Sequence, residues 1–417
     1  MKRIFIFVLC MMLSVTSLSP LSVKAAKADI NEVELQASAG IVMDAETGQI
    51  LGGKNINKAL YPASTTKILT ALIVLENCEL DEVVNFSQNA VYNVDVGSTN
   101  INSETGDKLT VEECLYALLL HSANEVANAL AEHVAGSIEQ FTVLMNEKAK
   151  ELGCTDSNFA NPSGLYNPEH YVTAKDMALI AKEAYFNKTF MKIQGAAYYD
   201  LPKTIRNKEG LRIYNKHKLF NENSSVYYEG CLGGKTGYTM LAKNTLVTYA
   251  KRDDLSLIAV VLHADNTHYE DTKKLLDYGY ENYKVVNVEE LPMIQEEMQT
   301  ILEKEQYSIK DNRELKLLLP KDYDEEGLEV ILAESAESIA EDTSNMIISY
   351  NEKELLSIEV IKNVEEAEDS PVQDYVIENE DDQSKDNKNI LVWSAFLIVI
   401  LIIGYIIYRK SHYKKHR

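Results

Sequence analysis

The feature that most limits how this chain can fold is the order in which its hydrophobic period changes. Gly40-Ile41-Val42-Met43-Asp44 and Gln49-Ile50-Leu51 flank the loop Glu46-Thr47-Gly48, a hairpin signal. Helical spacing then takes over. Pro62 precedes a segment starting near Ser64 whose apolar face is Ile68, Leu69, Leu72, Ile73 and Leu75. Thr110-Val111-Glu112-Glu113 has the form of a capping box ahead of Cys114, Leu115, Leu118 and Leu119. Residues 124–134 and 138–152 continue the helical pattern, and Thr173-Ala174-Lys175-Asp176 opens another helix through Met177, Leu179 and Ile180. After Gly237 the residues become β-branched and apolar. Residues 244–250 and 255–262 flank the turn Arg252-Asp253-Asp254, and 269–283 read as a closing helix. Strands, then helices, then strands and a helix predict an α+β domain built on an antiparallel sheet over residues 29–284. Residues 285–362 alternate short apolar runs such as Leu317-Leu318-Leu319 and Met346-Ile347-Ile348 with charged turns, which predicts a small β-rich domain.

The two ends read as targeting segments. Lys2 and Arg3 precede an apolar stretch from Ile4 to Leu18, and cleavage sites follow at Ala25 and Ala28, so residues 1–28 have the form of a signal peptide. Residues 390–408 are 19 uncharged, mostly apolar residues, enough to cross a hydrocarbon core about 30 Å thick as a transmembrane helix. Trp393, Tyr405 and Tyr408 suit the interface, and the basic tail 409–417 is expected on the cytoplasmic side. Between body and span, residues 363–389 are rich in Glu and Asp and read as a solvated linker. The predicted arrangement is a single-pass membrane protein with its body outside the cell. A formal net charge of −23 argues against nucleic-acid binding.

After signal removal the cysteines are Cys78, Cys114, Cys154 and Cys231, without CxxC or zinc-finger spacing, and they read as scattered, mostly buried thiols. His121, His133, His170, His217, His263 and His268 form no HExxH pattern, so neither a metal nor another cofactor is expected. Nothing in the sequence fixes the oligomeric state.

Three short motifs carry the chemistry. Ser64-Thr65-Thr66-Lys67 places a hydroxyl and an amine one helical turn apart, near backbone N–H groups that favour developing negative charge. A serine nucleophile needs a base. Lys67 can serve when burial or another cation, Lys235 being a candidate, holds it neutral. By itself Ser-x-x-Lys reads as a helix cap beside a solvated lysine, and the tail holds a chance copy at Ser411–Lys414. Ser122-Ala123-Asn124 lies between two helical patterns, where the serine can relay a proton and the asparagine can hold Lys67 and the substrate amide; its bland reading is again a cap. Ser98-Thr99-Asn100 has the same form but lacks the flanking helices. In Lys235-Thr236-Gly237 the first two residues can bind a carboxylate, while Gly237 lets a substrate backbone approach an edge strand.

Together the motifs resemble those of the low-molecular-mass penicillin-binding proteins, the serine D-alanyl-D-alanine carboxypeptidases of peptidase family S11. The resemblance extends to Pro62–Lys67, Asn161-Pro162-Ser163-Gly164-Leu165, His170–Met177 and Gly234–Thr239, and covers about residues 39–283. It implies a penicillin-binding-protein/β-lactamase-like transpeptidase domain, with the small second domain and membrane attachment also expected. It further implies peptidoglycan stem peptides and β-lactams as partners. The catalytic residues would be Ser64, Lys67, Ser122 and Asn124. Lys235, Thr236, Gly237 and Thr239 would bind substrate, backbone N–H groups of Ser64 and Tyr238 would form the oxyanion hole, and Asp176 would support the site from the neighbouring loop. Ser64 would be acylated by the penultimate D-alanine, and water would free the shortened peptide.

Two departures stand out. Family members often carry an arginine after the last hairpin strand, whereas Leu262-His263-Ala264-Asp265 has none, leaving the terminal carboxylate to Lys235, Thr236 and Thr239. The anchor resembles a true span rather than an amphipathic helix. Alternatives are a class A-like β-lactamase, a D,D-endopeptidase and a catalytically weak wall-binding scaffold. The first requires a Glu-x-x-x-Asn loop; Glu183 and Asn187 have that spacing but continue a helical pattern.

Overall fold

The computed structural model describes residues 31–310, 314–333 and 343–363. The signal segment 1–28, nearly all of the acidic linker, the apolar run 390–408 and the basic tail 409–417 lie outside the described residues. Among the described residues no helix is long and apolar enough to cross a membrane.

The framework is a five-stranded antiparallel sheet of β1 (Ala39–Asp44), β2 (Ile50–Lys54), β3 (Cys231–Thr239), β4 (Lys243–Arg252) and β5 (Leu255–Ala264), ordered β2-β1-β5-β4-β3. Strands from both ends of the domain meet at its centre, where Ala39 pairs with Leu262 and Asp44 with Leu257. The β1–β2 loop closes on Asp44, whose Oδ2 accepts from the Thr47 amide and hydroxyl.

Six main helices flank the sheet: α1 (Lys67–Asn77), α2 (Val111–Tyr116), α3 (Asn124–Ala135), α4 (Ile138–Glu151), α5 (Ala174–Phe186) and α6 (His268–Asn282). Their starts follow local chemistry. Thr110 and Glu113 form the reciprocal capping box, Ser137 caps α4, and Thr173 caps α5 by accepting from Asp176 N–H.

Alternation along the central strands divides the core. Ile41, Met43, Val247, Tyr249, Ile258, Val260 and Leu262 face the helical layer of α1, α3 and α5, while Val42, Leu246, Leu257, Ala259 and Val261 face α6. Burial on both faces explains why these strands read as nearly continuous apolar runs.

Beyond α6, Tyr283–Asn287 pairs with Lys316–Pro320, and a four-stranded antiparallel sheet follows. A 13-residue helix, Pro292–Lys304, also lies here, contrary to the strand-and-turn reading of this stretch. Pro292 suits the first helical turn, and Ile294 and Met298, four residues apart, bury one helical face.

Candidate active site

The segment carrying Ser64 is a 3-10 turn, Ala63–Thr66, that runs into α1. Ser64 is not a capping residue: neither the turn nor α1 has a side-chain cap. Three contacts hold the turn in place. Thr65 Oγ1 donates to Pro62 O, Thr66 Oγ1 donates to Ala63 O, and Thr245 Oγ1 on β4 donates to Pro62 O at 2.8 Å. Ala63 adopts φ +49°, sparsely populated for a residue with a Cβ. Gly164 packs so closely that a Cβ there would lie 1.8 Å from Ala63 O, which accounts for a glycine in the Asn161–Leu165 loop.

Lys67 is fully buried, and its Nζ lies 3.2 Å from Ser64 Oγ, 2.7 Å from Asn124 Oδ1 and 2.5 Å from Ser163 O. Asn161 Oδ1 shapes the loop that presents this carbonyl, accepting from the amides of Ser163 and Gly164 and from Ser163 Oγ. Burial, reinforced by the charge of Lys235 and then Lys216, pushes the Lys67 ammonium well below its ordinary value, against the opposing pull of Glu125. A neutral amine beside Ser64 Oγ can accept its proton.

Ser122 follows a π-helical turn, Ala117–His121, and takes a left-handed conformation at φ +70°. Ala123, not Ser122, is the N-cap of α3, and it makes no side-chain cap bond. The cap reading therefore fails for Ser122 and Asn124 as well. The strained junction turns both side chains toward the lysines: Asn124 onto Lys67, and Ser122 Oγ onto Lys235 Nζ at 3.0 Å. The similar triplet Ser98-Thr99-Asn100 lies alongside as support, with Thr99 O accepting from Asn124 N and Asn100 O bonded to His121 Nε2.

Lys235, Thr236 and Gly237 lie on β3, the edge strand. Lys235 is 2% exposed, and burial followed by the charge of Lys216 lowers its ammonium to about 7. A Cβ on Gly237 would fall 2.3 Å from Thr245 Oγ1 and 2.8 Å from the Ser64 amide nitrogen, so only glycine leaves the space beside that amide open. Tyr238 is 62% exposed. Thr239 Oγ1 accepts from Ala242 N–H at the β3–β4 turn.

The structure holds the candidate residues in two hydrogen-bonded sets, Ser64 with Lys67 and Asn124, and Ser122 with Lys235, linked through the chain at 122–124 and by the charge of Lys235 acting on Lys67. Asp176 differs from expectation: it sits in the first turn of α5, and its Oδ2 accepts from Asp156 N and Ser157 Oγ. It holds the loop before α5, because the Thr173 cap starts the helix before Asp176. Cys231 Sγ lies 4.0 Å from His217 Nδ1 and Gly233 O, with no bond to Lys235. Glu183 is exposed on α5 and Asn187 caps the next helix, so they form no loop beside the serine.

Sequence reasoning missed two charged neighbours. Lys216 Nζ donates to His121 O at 2.7 Å, and its charge reaches both Lys67 and Lys235. Glu125, buried next to Asn124, accepts from Ile101 N and Ser103 Oγ and acts electrostatically on Lys67. Position beside Asn124 was the only signal for Glu125, and Lys216 had none.

The sequence model of peptidase family S11, D-alanyl-D-alanine carboxypeptidase, matches residues 23–266. The chain is similar to D-alanyl-D-alanine carboxypeptidase DacF of Bacillus subtilis, 35% identical over 262 residues, covering 61% of this chain and 64% of the relative. It is similar to DacB2 of Mycobacterium tuberculosis, 33% identical over 256 residues, covering 58% of this chain and 82% of the relative. The match thus spans less than two thirds of the Bacillus relative. Among solved structures, D-alanyl-D-alanine carboxypeptidase DacD from Francisella tularensis superposes with a TM-score of 0.60 at 25% identity, covering 79% of this chain and 94% of that one. A mutant of the Streptomyces K15 DD-transpeptidase gives 0.54 at 30% identity, covering 60% and 99%.

Proposed function

The chain belongs to the D-alanyl-D-alanine carboxypeptidases of peptidase family S11, and we propose that it removes the terminal D-alanine from peptidoglycan stem peptides through a Ser64 acyl-enzyme. The observation that carries this reading is Lys67 Nζ, fully buried and in contact with both Ser64 Oγ and Asn124 Oδ1.

Ser64 Oγ attacks the carbonyl of the penultimate D-alanine while Lys67 takes its proton. The amides of Ser64 and Tyr238 receive the oxyanion. Ser122, held by Lys235, relays to the departing D-alanine amine the proton that Lys67 took, which leaves Lys67 neutral again for the attack of water. Water then attacks the ester, and the serine hydroxyl is restored. β-Lactams acylate the same hydroxyl. Lys235 and Thr236 bind the terminal carboxylate, and Lys216 adds positive field in the absence of the arginine missing from residues 262–265. Edge strand β3 offers the peptide a pairing partner, and Thr239 marks its far end.

The same reading places the domain outside the cell. The signal-like residues 1–28 support export, and the uncharged run 390–408 followed by a basic tail supports a single-pass anchor.

Full-length protein incubated with a diacyl-D-Ala-D-Ala peptide is expected to release D-alanine, and a fluorescent penicillin is expected to label Ser64. Persistence of both in Ser64→Ala would remove the assignment. Labelling of the wild type without D-alanine release would leave a penicillin-binding scaffold.

A further inference from the structure

Helices α1 and α3 are joined at both ends. Their N-termini meet where Lys67 Nζ donates to Asn124 Oδ1. At the opposite ends Cys78, the C-cap residue of α1, and His133, in the last turn of α3, converge with Glu82. One ligand atom from each of these three residues lies within 4.8 Å of the other two. His133 Nε2 is 3.0 Å from Glu82 Oε2. The carboxylate is aimed by the backbone, because its Oε1 accepts from Glu79 N–H at 2.7 Å. The turn bearing Glu82 is itself tied to the start of α2, with Val111 N–H donating to Glu82 O and Glu112 N–H to Leu80 O.

We propose that Cys78 Sγ, His133 Nε2 and Glu82 Oε2 form a binding site for a divalent cation of the zinc class, which clasps α1 to α3 at the end remote from Ser64. A thiolate, an imidazole and a carboxylate are the donor types of tetrahedral zinc, and water completes the coordination. Mixed sulfur and nitrogen donors select against calcium and magnesium, which take oxygen ligands. Two helix C-termini converge here, and their partial negative charge favours a cation. Coordination requires the three donors to draw closer than the 4.8 Å within which they now stand. On binding, the Cys78 thiol gives its proton to solvent and the Glu82–His133 hydrogen bond is replaced by two bonds to the metal. The clasp lies about 16 Å along α1 from Lys67 and acts on rigidity rather than on the reacting atoms. Cys78 and Glu82 lie four residues apart, and His133 joins them from α3, 51 residues beyond Glu82.

The test is cobalt(II) titration of chelator-treated full-length protein, with zinc(II) as competitor. A thiolate-to-cobalt charge-transfer band is expected, saturating at one equivalent and removed by zinc(II). Cys78→Ser is expected to lose the band while still being labelled by penicillin, which reports folding. Zinc(II) is expected to raise the thermal midpoint of the wild type and leave that of Cys78→Ser unmoved. Absence of a band in the wild type would show that the triad is an ion pair beside a thiol and overturn the proposal. So would a band that survives in Cys78→Ser, since another thiol would then be the ligand. Should Cys78→Ser fail to label, His133→Ala decides in its place: undiminished cobalt affinity in that variant refutes the site.

Discussion

Lys235 Nζ donates to Ser122 Oγ at 3.0 Å, across 113 residues of sequence. The bond joins the edge strand of the sheet to the junction that opens α3, so the two halves of the active site are set against each other by a buried lysine and a left-handed serine. Lys67 stands beside this pair, and the charge of Lys235 helps to keep it neutral. In the proposed mechanism the two lysines take opposite tasks, Lys67 as proton acceptor and Lys235 as cation.

Replacing Lys67 by arginine tests that division. Guanidinium stays protonated where Lys67 is neutral, so it cannot act as a base. Penicillin acylation by Lys67→Arg should fall by about 10²- to 10⁴-fold, measured by stopped-flow labelling with circular dichroism as the folding control. A rate close to wild type would exclude Lys67 as the base.

The pH profile of acylation follows from the same pair. Lys67 must be neutral, so the rate constant at low β-lactam concentration rises as pH climbs through its lowered value. Lys235 must be charged, so the rate falls as pH passes about 7. Lys235→Arg should move the alkaline limb upward and leave the acid limb in place. An alkaline limb unchanged in that variant would assign it to another group.

Gly237→Ala would put a methyl group 2.8 Å from the Ser64 amide and 2.3 Å from Thr245 Oγ1. The β3 backbone must withdraw from the serine turn. A displacement on the ångström scale costs about 10²-fold in rate, and acylation should show that loss with little change in far-ultraviolet circular dichroism. Wild-type kinetics would mean that the strand can yield without disturbing the oxyanion site.

Acid should destabilise the domain through two buried histidines. Burial, with the charge of Lys67, lowers His170 to about 4, and burial lowers His217 to about 3, from an ordinary 6.5. As pH falls below 6.5 the unfolded chain takes up these protons while the folded chain does not, so stability declines down to about 4 for His170 and about 3 for His217. Each contributes at most about 1.4 kcal/mol per pH unit. Thermal melts of wild type and His170→Gln should diverge in this window, with the variant less pH-sensitive; parallel curves would deny His170 a part.

Much of the scaffold was legible because its signals are local. The capping box at Thr110 and Glu113, the Thr173 cap and the apolar, β-branched runs 244–250 and 255–262 each act within a few residues, and each element formed where its signal lay. The helix Pro292–Lys304 was missed because its apolar face is narrow, with Ile294 and Met298 as its buried residues.

The sequence by itself determined the three motifs, their order and the kinds of element that carry them, since residue type and hydrophobic period are properties of short stretches. Tertiary packing decided what those residues can do. Neither the dry environment that lowers Lys67, nor the left-handed turn at Ser122, nor the approach of Lys216 and Glu125 is written in any short segment. Each arises where the edge strand, the 3-10 turn and the start of α3 close around one another. Desolvation and charge–charge interaction depend on distances through space, and only the closed layers set those distances.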